Sequence, residues 1–138
     1  MKSNKAYYCF NINNVHQALE IILICKNYNI IPIFFIKFYI INGFGPDWIT
    51  EFRNLLLKKF NKKDYKIFID CKKNYGLFIN LVLQKIDFLQ VKADLKTLSR
   101  LKNIAKKNKV TVNPKISVIN LTNIKNIKSK IQKIYKIK

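Results

Sequence analysis

Several polar side chains stand directly after the apolar segments that the sequence predicts as β-strands, where they could act on a small molecule. Asp70 follows the third of these segments, and a carboxylate in that position can transfer a proton or accept a hydrogen bond from a hydroxyl. Because ligands of parallel α/β sheets bind outside the carboxyl ends of the strands, position along the chain selects the other candidates. The residues predicted to bind a ligand there are Asn11, Asn13, Gly45, Cys71, Lys72 and Lys92.

Asp70 and Cys71 each have a second interpretation. The Asp70 carboxylate could instead accept hydrogen bonds from the backbone of the turn over residues 72–76. Lys72 and Lys73 would lower the pKa of a thiol at position 71, but no histidine stands nearby in the sequence to act as its base. A catalytic thiol is therefore not expected, and the sequence leaves open whether the protein is an enzyme.

No cofactor and no metal site are predicted. The three cysteines are widely spaced without a CxxC pair, and His16 is the one histidine of the chain. The glycines near position 45 lack the GxGxxG spacing and the Lys-Ser/Thr pair of phosphate-binding loops. A small anionic ligand held by lysine side chains is the binding chemistry that these residue types favour.

The elements that must position these residues alternate regularly along the chain. Short apolar segments are followed by segments with apolar residues at helical spacing, which predicts an α/β fold with a parallel sheet of about five strands. Half of a β/α barrel and a flavodoxin-like sheet both agree with this alternation. Asn13 or Asn14 is predicted to cap the first helix, and Asp94 the fourth one, over residues 95–107. Strands are predicted over 7–12, 30–35, 65–69, 88–91 and 110–112, helices over 15–26, 46–60, 75–85 and 95–107, and 116–121 is predicted as strand or loop.

The chain has the size and composition of a single α/β domain over residues 1–138. Its 138 residues are 49% hydrophobic and include three glycines and three prolines, so they can bury a core without disulfides or metal. Residues 1–14 lack the apolar core of a signal peptide, and the most apolar segment, 30–41, is shorter than the about 20 residues that cross a bilayer. We expect a cytoplasmic protein with reduced thiols and no transmembrane segment.

The net charge of +20 is concentrated in the last third of the chain. Residues 95–138 contain no acidic residue, and 113–138 is predicted as a basic amphipathic segment. This region could bind nucleic acid or another anionic surface, or it could be the solvated lysine face of packed helices. An AT-rich genome would explain lysine in place of arginine, since only Arg53 and Arg100 are arginines, but not the scarcity of acidic residues.

Large apolar side chains are concentrated in a segment predicted as a loop between the second strand and the second helix. Loops run over the surface, so such a cluster either folds over the end of the sheet or is covered by a partner. A homo-oligomer is the simpler interpretation. The predicted interface residues are Phe38, Tyr39, Ile40, Ile41, Phe44 and Trp48.

Three segments resemble a family of short, uncharacterised alphaproteobacterial α/β proteins. They are residues 16–19 (His-Gln-Ala-Leu), 45–48 (Gly-Pro-Asp-Trp) and 69–77, which begin Ile-Asp-Cys. The similarity covers residues 15–107, and Lys72 and Lys73 stand where the family has glycine and a second aspartate. The resemblance implies an α/β fold and a bacterial cytoplasmic protein, and it implies no activity.

Three functions from different classes remain open. The first is a self-associating α/β domain with a small-anion pocket at the carboxyl ends of the strands. The second is an enzyme that acts on a small phosphorylated or carboxylated metabolite, with Asp70 as the acid or base. The third is an RNA-binding or anionic-surface-binding protein that uses the lysine-rich residues 95–138.

Overall fold

The computed structural model describes residues 6–45, 47–120, 129 and 131–133. Through residue 120, six strands alternate with five helices, and a short 3-10 turn (Lys62–Asp64) precedes the third strand. The strands are β1 (Ala6–Asn11), β2 (Ile30–Ile36), β3 (Lys66–Asp70), β4 (Phe88–Gln90), β5 (Thr111–Val112) and β6 (Val118–Asn120), and the helices are α1 (Val15–Lys26), α2 (Phe38–Phe44), α3 (Asp47–Leu57), α4 (Tyr75–Leu83) and α5 (Leu95–Lys107).

All six strands run parallel in one sheet with the order β5-β4-β3-β2-β1-β6. The predicted α/β fold with a parallel sheet is confirmed, with six strands in place of about five, because part of segment 116–121 pairs with β1 as β6. A flavodoxin-like sheet has the order 2-1-3-4-5. Here the first five strands are neighbours in chain order, which is the winding of a β/α barrel. Each crossover from β1 to β5 therefore leads to the next strand in the same direction along the sheet. Since such crossovers are right-handed, their helices lie on one face of the sheet.

β5 and β6 occupy opposite edges of the sheet, although only the short segment 113–117 connects them. In a flat sheet, the spacing of about 4.8 Å between neighbouring strands would separate these edges by about 24 Å. The chain from Val112 to Val118 spans at most about 22 Å when fully extended, and Asn113, with φ 50°, is not extended. The sheet must therefore curl enough to bring its two edges closer together than in a flat sheet, which is the curvature of an incomplete barrel.

The two faces of the curled sheet have separate cores, because successive residues of a strand point to opposite faces. The larger core lies between the strands and the helices and contains Phe10, Phe34 and Phe52, all fully buried. The smaller core lies on the concave face and consists of Cys9, Ile33 and Phe68, with Phe35, Phe88 and Ile116 packed against them. Because Ile116 belongs to the connection between β5 and β6, this connection closes over the concave face.

Side-chain caps begin the helices that follow the ends of β1, β3 and β4. Asn14 Oδ1 accepts a hydrogen bond from the Gln17 N–H at 2.9 Å, and Asp94 Oδ1 accepts one from the Thr97 N–H at 2.8 Å. Asn74 caps α4 in the same way. Each of these caps satisfies a backbone donor that the first helical turn leaves without a partner. The predicted capping roles of Asn14 and Asp94 are confirmed.

The residues predicted as an apolar loop form α2, so this part of the prediction is wrong. Aromatic and β-branched residues give the segment weak helix propensity, but Ile40 and Ile41 are 4% and 1% exposed and pack in the larger core. Tertiary burial therefore decides the conformation. Gly45 ends the helix with φ 86°, which residues with a Cβ rarely adopt. The next helix, α3, ends at Leu57 and not at the predicted Phe60.

The predicted basic amphipathic helix of the C-terminal segment falls mostly on residues outside the described ranges, as does Pro46, the predicted start of the second helix. Ile131, one of the isoleucines at helical spacing in that segment, is described, and it is helical and fully buried in the larger core. Among the described helices, none combines the length and the apolar character needed to cross a bilayer.

Two helices end on lysines with a left-handed backbone conformation. Lys85, after α4, has φ 60°, and Lys109, after α5, has φ 61°. The residues that follow them, Ile86 and Val110, are buried and donate their N–H groups to carbonyls of the last helical turn, at 3.3 and 3.0 Å. These contacts form Schellman motifs, in which glycine is preferred at the left-handed position. A Cβ at positive φ costs about 1–2 kcal/mol.

Replacing Lys109 with glycine is expected to raise the free energy of unfolding by about 0.5–1 kcal/mol, because the relief of strain exceeds the entropy that glycine adds to the unfolded chain. The matched control is Lys107→Gly in the last turn of α5, which should lower the free energy of unfolding by about 1 kcal/mol. Urea unfolding followed by circular dichroism measures both changes. A loss of stability in Lys109→Gly would contradict the left-handed helix end.

Candidate functional site

A cavity of about 460 Å³ opens on the concave face of the sheet, toward the carboxyl ends of β2 to β5. Its volume lies within the range of about 300–1,000 Å³ that is typical of small-molecule sites. The carboxyl ends of parallel strands are also the place where α/β proteins bind their ligands. The cavity is lined by Phe35, Phe68, Gln90, Val91, Lys92, Asn113, Pro114, Lys115, Ile116 and Val118.

Asn113 fixes the wall that the connection between β5 and β6 contributes. Its Oδ1 accepts a hydrogen bond from the Val91 N–H at 2.8 Å, and its Nδ2 donates one to the Val91 carbonyl at 3.1 Å. Its backbone N–H donates to the Leu89 carbonyl at 2.8 Å. Asparagine tolerates the left-handed φ of 50° at this position better than most residues. The side-chain amide of Asn113 thus holds the wall in place and is already engaged in hydrogen bonds.

Gln90, Lys92 and Lys115 supply the other polar side chains of the cavity. No carboxylate stands among the lining residues, and the ion pairs found in the described part of the chain involve Lys26, Lys66 and Lys72. Lys92 and Lys115 are both exposed, and neither forms an ion pair with a described residue. Asp70 is the register partner of the cavity residue Gln90, but its carboxylate pairs with Lys72. The cavity thus combines a cationic part with an apolar wall that includes two phenylalanine rings.

Asn11 lies on the concave face next to this cavity. It pairs in register with Phe35, so the two side chains share a face of the sheet. Asn11 is 7% exposed, and its side-chain oxygen has no hydrogen-bond partner among the described residues. Leaving a buried acceptor without a donor costs about 1–3 kcal/mol. The structure places this predicted ligand-binding residue beside the cavity wall, where a donor from a ligand or a water molecule would relieve that cost.

Asp70 ends β3, and its oxygens contact the turn that follows. Oδ1 accepts a hydrogen bond from the Lys72 N–H at 3.0 Å, and Oδ2 lies 3.6 Å from Lys72 Nζ. Lys72 has φ 48°, so the carboxylate supports a turn in a strained conformation. Neither residue lines the cavity. These contacts favour the interpretation of Asp70 as a turn acceptor.

Cys71 is fully buried in the larger core, on the helix-covered side of the sheet. Burial raises the pKa of its thiol to about 12, and the Asp70 carboxylate beside it acts in the same direction. Burial likewise raises the pKa of Cys9 and of Cys25 to about 12. Protonated, buried thiols are poor nucleophiles. No group of three His, Cys, Asp or Glu residues in the described part of the chain could hold a metal ion.

Asn13, Gly45 and the predicted interface lie away from the cavity, around α1, α2 and α3. Asn13 donates its backbone N–H to Gln17 Oε1 at 2.8 Å, and Gly45 caps the end of α2. A second depression, of about 300 Å³, separates these helices, and we call it the Phe44–Trp48 groove. It is lined by Asn13, Asn14, Val15, Phe44, Trp48, Glu51, Phe52 and Leu55.

The predicted interface residues divide into buried and accessible ones. Ile40 and Ile41 belong to the core of the chain itself, so a partner could not reach them. Phe44 is 73% exposed at the rim of the groove. Trp48 stacks on Phe52 with 5.1 Å between the ring centroids and remains half-buried. Of the remaining two, Tyr39 is exposed and Phe38 is half-buried.

Three polar cavity residues, Gln90, Asn113 and Lys115, were not among the predicted site residues. Gln90 precedes the predicted Lys92 by two positions, and residues two apart in a strand point to the same face. Gln90 could therefore have been predicted from the sequence. Lys115 reaches the cavity because the connection from β5 to β6 crosses the concave face. That crossing depends on the order of the strands in the sheet. The periodicity of the residues does not reveal this order, so Lys115 could not be predicted from it.

Comparison with protein-family models, with curated proteins and with solved structures finds no match. The resemblance to the alphaproteobacterial family therefore stays a prediction.

We expect the cysteines of the folded protein to resist iodoacetamide near pH 8, because a pKa of about 12 leaves them protonated. All three should react once guanidinium chloride unfolds the chain, since exposure returns their pKa to about 8.5. Intact-mass spectrometry counts the labels in each sample. Rapid labelling of native protein at Cys71 would instead show an accessible thiolate at the strand end.

Proposed function

We propose that this protein binds a small organic anion, carrying a phosphate or carboxylate group, in the cavity on the concave face of the sheet. The proposal depends on one observation, which is that Lys92 and Lys115 line this cavity and no carboxylate does. Two positive charges beside an apolar wall focus the electrostatic potential and raise the local concentration of anions. Ammonium groups bind phosphate and carboxylate oxygens through charge-assisted hydrogen bonds.

The apolar part of the cavity supports a ligand with an apolar or aromatic portion. The rings of Phe35 and Phe68 form part of the wall, with centroids 4.9 Å apart in an edge-to-face arrangement. Aromatic rings add about 0.5–1.5 kcal/mol when they pack against another ring. Gln90 offers both a donor and an acceptor, and the buried oxygen of Asn11 supports a hydroxyl or N–H group on the ligand.

The proposal is one of binding and includes no acid-base step. Asp70 was the predicted catalytic residue, and its two oxygens contact Lys72 within the turn after β3. A general acid or base must reach the proton that it transfers within hydrogen-bond distance. Asp70 is absent from the cavity lining, and the cavity contains no other carboxylate, thiol or imidazole among its lining residues.

We also propose that two copies of the chain pair through the Phe44–Trp48 groove. The groove is built from α1, α2 and α3 and exposes 73% of Phe44 and 39% of Leu55. Within residues 6–57, Lys26, Lys37 and Arg53 balance Glu20, Asp47 and Glu51, whereas the whole chain carries +20. Copies with the same high net charge repel each other, and this repulsion is weakest where the facing surfaces are close to neutral. An exposed apolar groove on the neutral part of the chain therefore fits a second copy.

Replacing Lys92 or Lys115 with glutamine is expected to weaken the binding of phenyl phosphate by about three- to tenfold each, because each change removes one charge-assisted contact. Titration of ¹⁵N-labelled protein, observed by NMR, measures the dissociation constant and locates the residues that respond. The matched control is Lys58→Gln, an exposed lysine after α3 with the same change of charge. An equal effect in the control, or shifts that avoid residues 90–92 and 113–118, would contradict the proposal.

Replacing Phe44 with lysine is expected to convert a dimer into a monomer, because it places a charge in the apolar contact. Light scattering after size-exclusion chromatography at several protein concentrations gives the mass. Leu95→Lys serves as the control, since Leu95 is 87% exposed and lies on α5 outside the groove. A wild-type chain that stays monomeric at all concentrations would refute the pairing.

A further inference from the structure

The outer face of α5 carries a line of basic side chains. Leu101 and Ala105 are buried and fix the side of α5 that packs on the sheet. On a helix with 3.6 residues per turn, positions 96, 100, 103 and 107 fall along the opposite side. These positions hold Lys96, Arg100, Asn103 and Lys107, and all four are exposed.

Little negative charge accompanies this line. Residues 94–109 contain five lysines and Arg100 against a single acidic residue, Asp94. The Asp94 carboxylate is engaged in capping α5, and the hydrogen bond from the Thr97 backbone holds its pKa below the usual value. It therefore stays ionised at the helix N-terminus, where it complements the helix dipole. No lysine of α5 takes part in an ion pair with another described residue.

A base-composition bias of the genome does not account for this asymmetry. Such a bias acts on every surface helix of one chain, and yet α1 contains Glu20 and α3 contains Asp47 and Glu51. Helix α5 has five basic residues and no acidic one. The difference between helices of the same chain is a property of this surface.

We propose that the outer face of α5 binds the sugar-phosphate backbone of a nucleic acid. From position 96 to position 107 the line extends about 16 Å at 1.5 Å per residue. That length corresponds to about five phosphates along one strand at 3.4 Å per step. Lysine is a point charge, and Arg100 is the only guanidinium on α5 that could recognise a base through paired hydrogen bonds. Binding is therefore independent of sequence and depends strongly on salt.

The same face does not fit a membrane surface. An amphipathic helix that lies in a bilayer interface inserts a continuous apolar face beside its basic one. The exposed apolar residues of α5 are Leu95 and Ile104. They are nine positions apart, which at 100° per residue puts them on opposite flanks of the basic line. No insertion face adjoins the lysines of α5.

The test compares two triple variants of the full chain that lose the same charge. The α5 variant combines Lys96→Gln, Arg100→Gln and Lys107→Gln. The control variant combines Lys58→Gln, Lys59→Gln and Lys63→Gln. All six side chains are exposed. Fluorescence anisotropy with a single-stranded oligouridine and with a DNA duplex, at about 50 to 200 mM salt, gives the dissociation constants. Circular dichroism checks that each variant is folded, and the single changes Lys96→Gln and Lys107→Gln are used if the first triple variant is not.

We expect the α5 variant to lose at least tenfold in affinity, and its logarithmic salt slope to fall by about one for each cation removed. The variant at positions 58, 59 and 63 should bind nearly as wild type does. Equal losses in the two variants would overturn the proposal, because the effect would then come from net charge alone. It would also be overturned if wild type binds neither probe at the lowest salt, or if it binds anionic phospholipid vesicles and not the oligonucleotides. Lys92→Gln, which tests the cavity, should leave oligonucleotide binding within about twofold, so the two proposals can fail separately.

Discussion

The short connection between β5 and β6 is the constraint on which the rest of the structure depends. These strands follow one another in the chain but lie at opposite edges of the sheet, and a flat sheet would hold them too far apart for residues 113–117 to join. Curling the sheet creates a concave face, which Phe68 and Ile33 fill only in part. The connection then closes over the remainder and, held by the amide of Asn113 on Val91, becomes the wall of the cavity.

Residue periodicity predicted most of the elements, because burial of one face imposes a period of two on strands and of 3.6 on helices. Capping was predictable from the local sequence alone, since Asn14 and Asp94 stand where the first helical turn needs an acceptor. The predictions of secondary structure fail where long-range packing determines the conformation of a segment. The segment that forms α2 was predicted as an exposed apolar loop, because the sequence does not show that Ile40 and Ile41 pack in the larger core.

The candidate site was predictable only in its location. Lys92 follows β4 and lines the cavity as expected of a residue at a strand end. Asp70 ends β3 and Cys71 follows it, but the turn after β3 engages the carboxylate and the larger core buries the thiol. Lys115 arrives from a connection whose path depends on the order of the strands. Distance from a strand end along the chain therefore did not determine which side chains face the cavity.

The lysines with a left-handed backbone also have a consequence for how this chain can change over generations. Lys72, Lys85 and Lys109 all have positive φ, and the chain has only three glycines. Lysine codons differ from glycine codons at both of their first two bases, so one nucleotide substitution cannot convert one residue into the other. The intermediates are arginine and glutamate, which keep a Cβ and therefore keep the strain. Replacing one of these lysines with glycine would relieve backbone strain, but it requires two nucleotide substitutions. The first of them gives arginine or glutamate and brings no gain in stability.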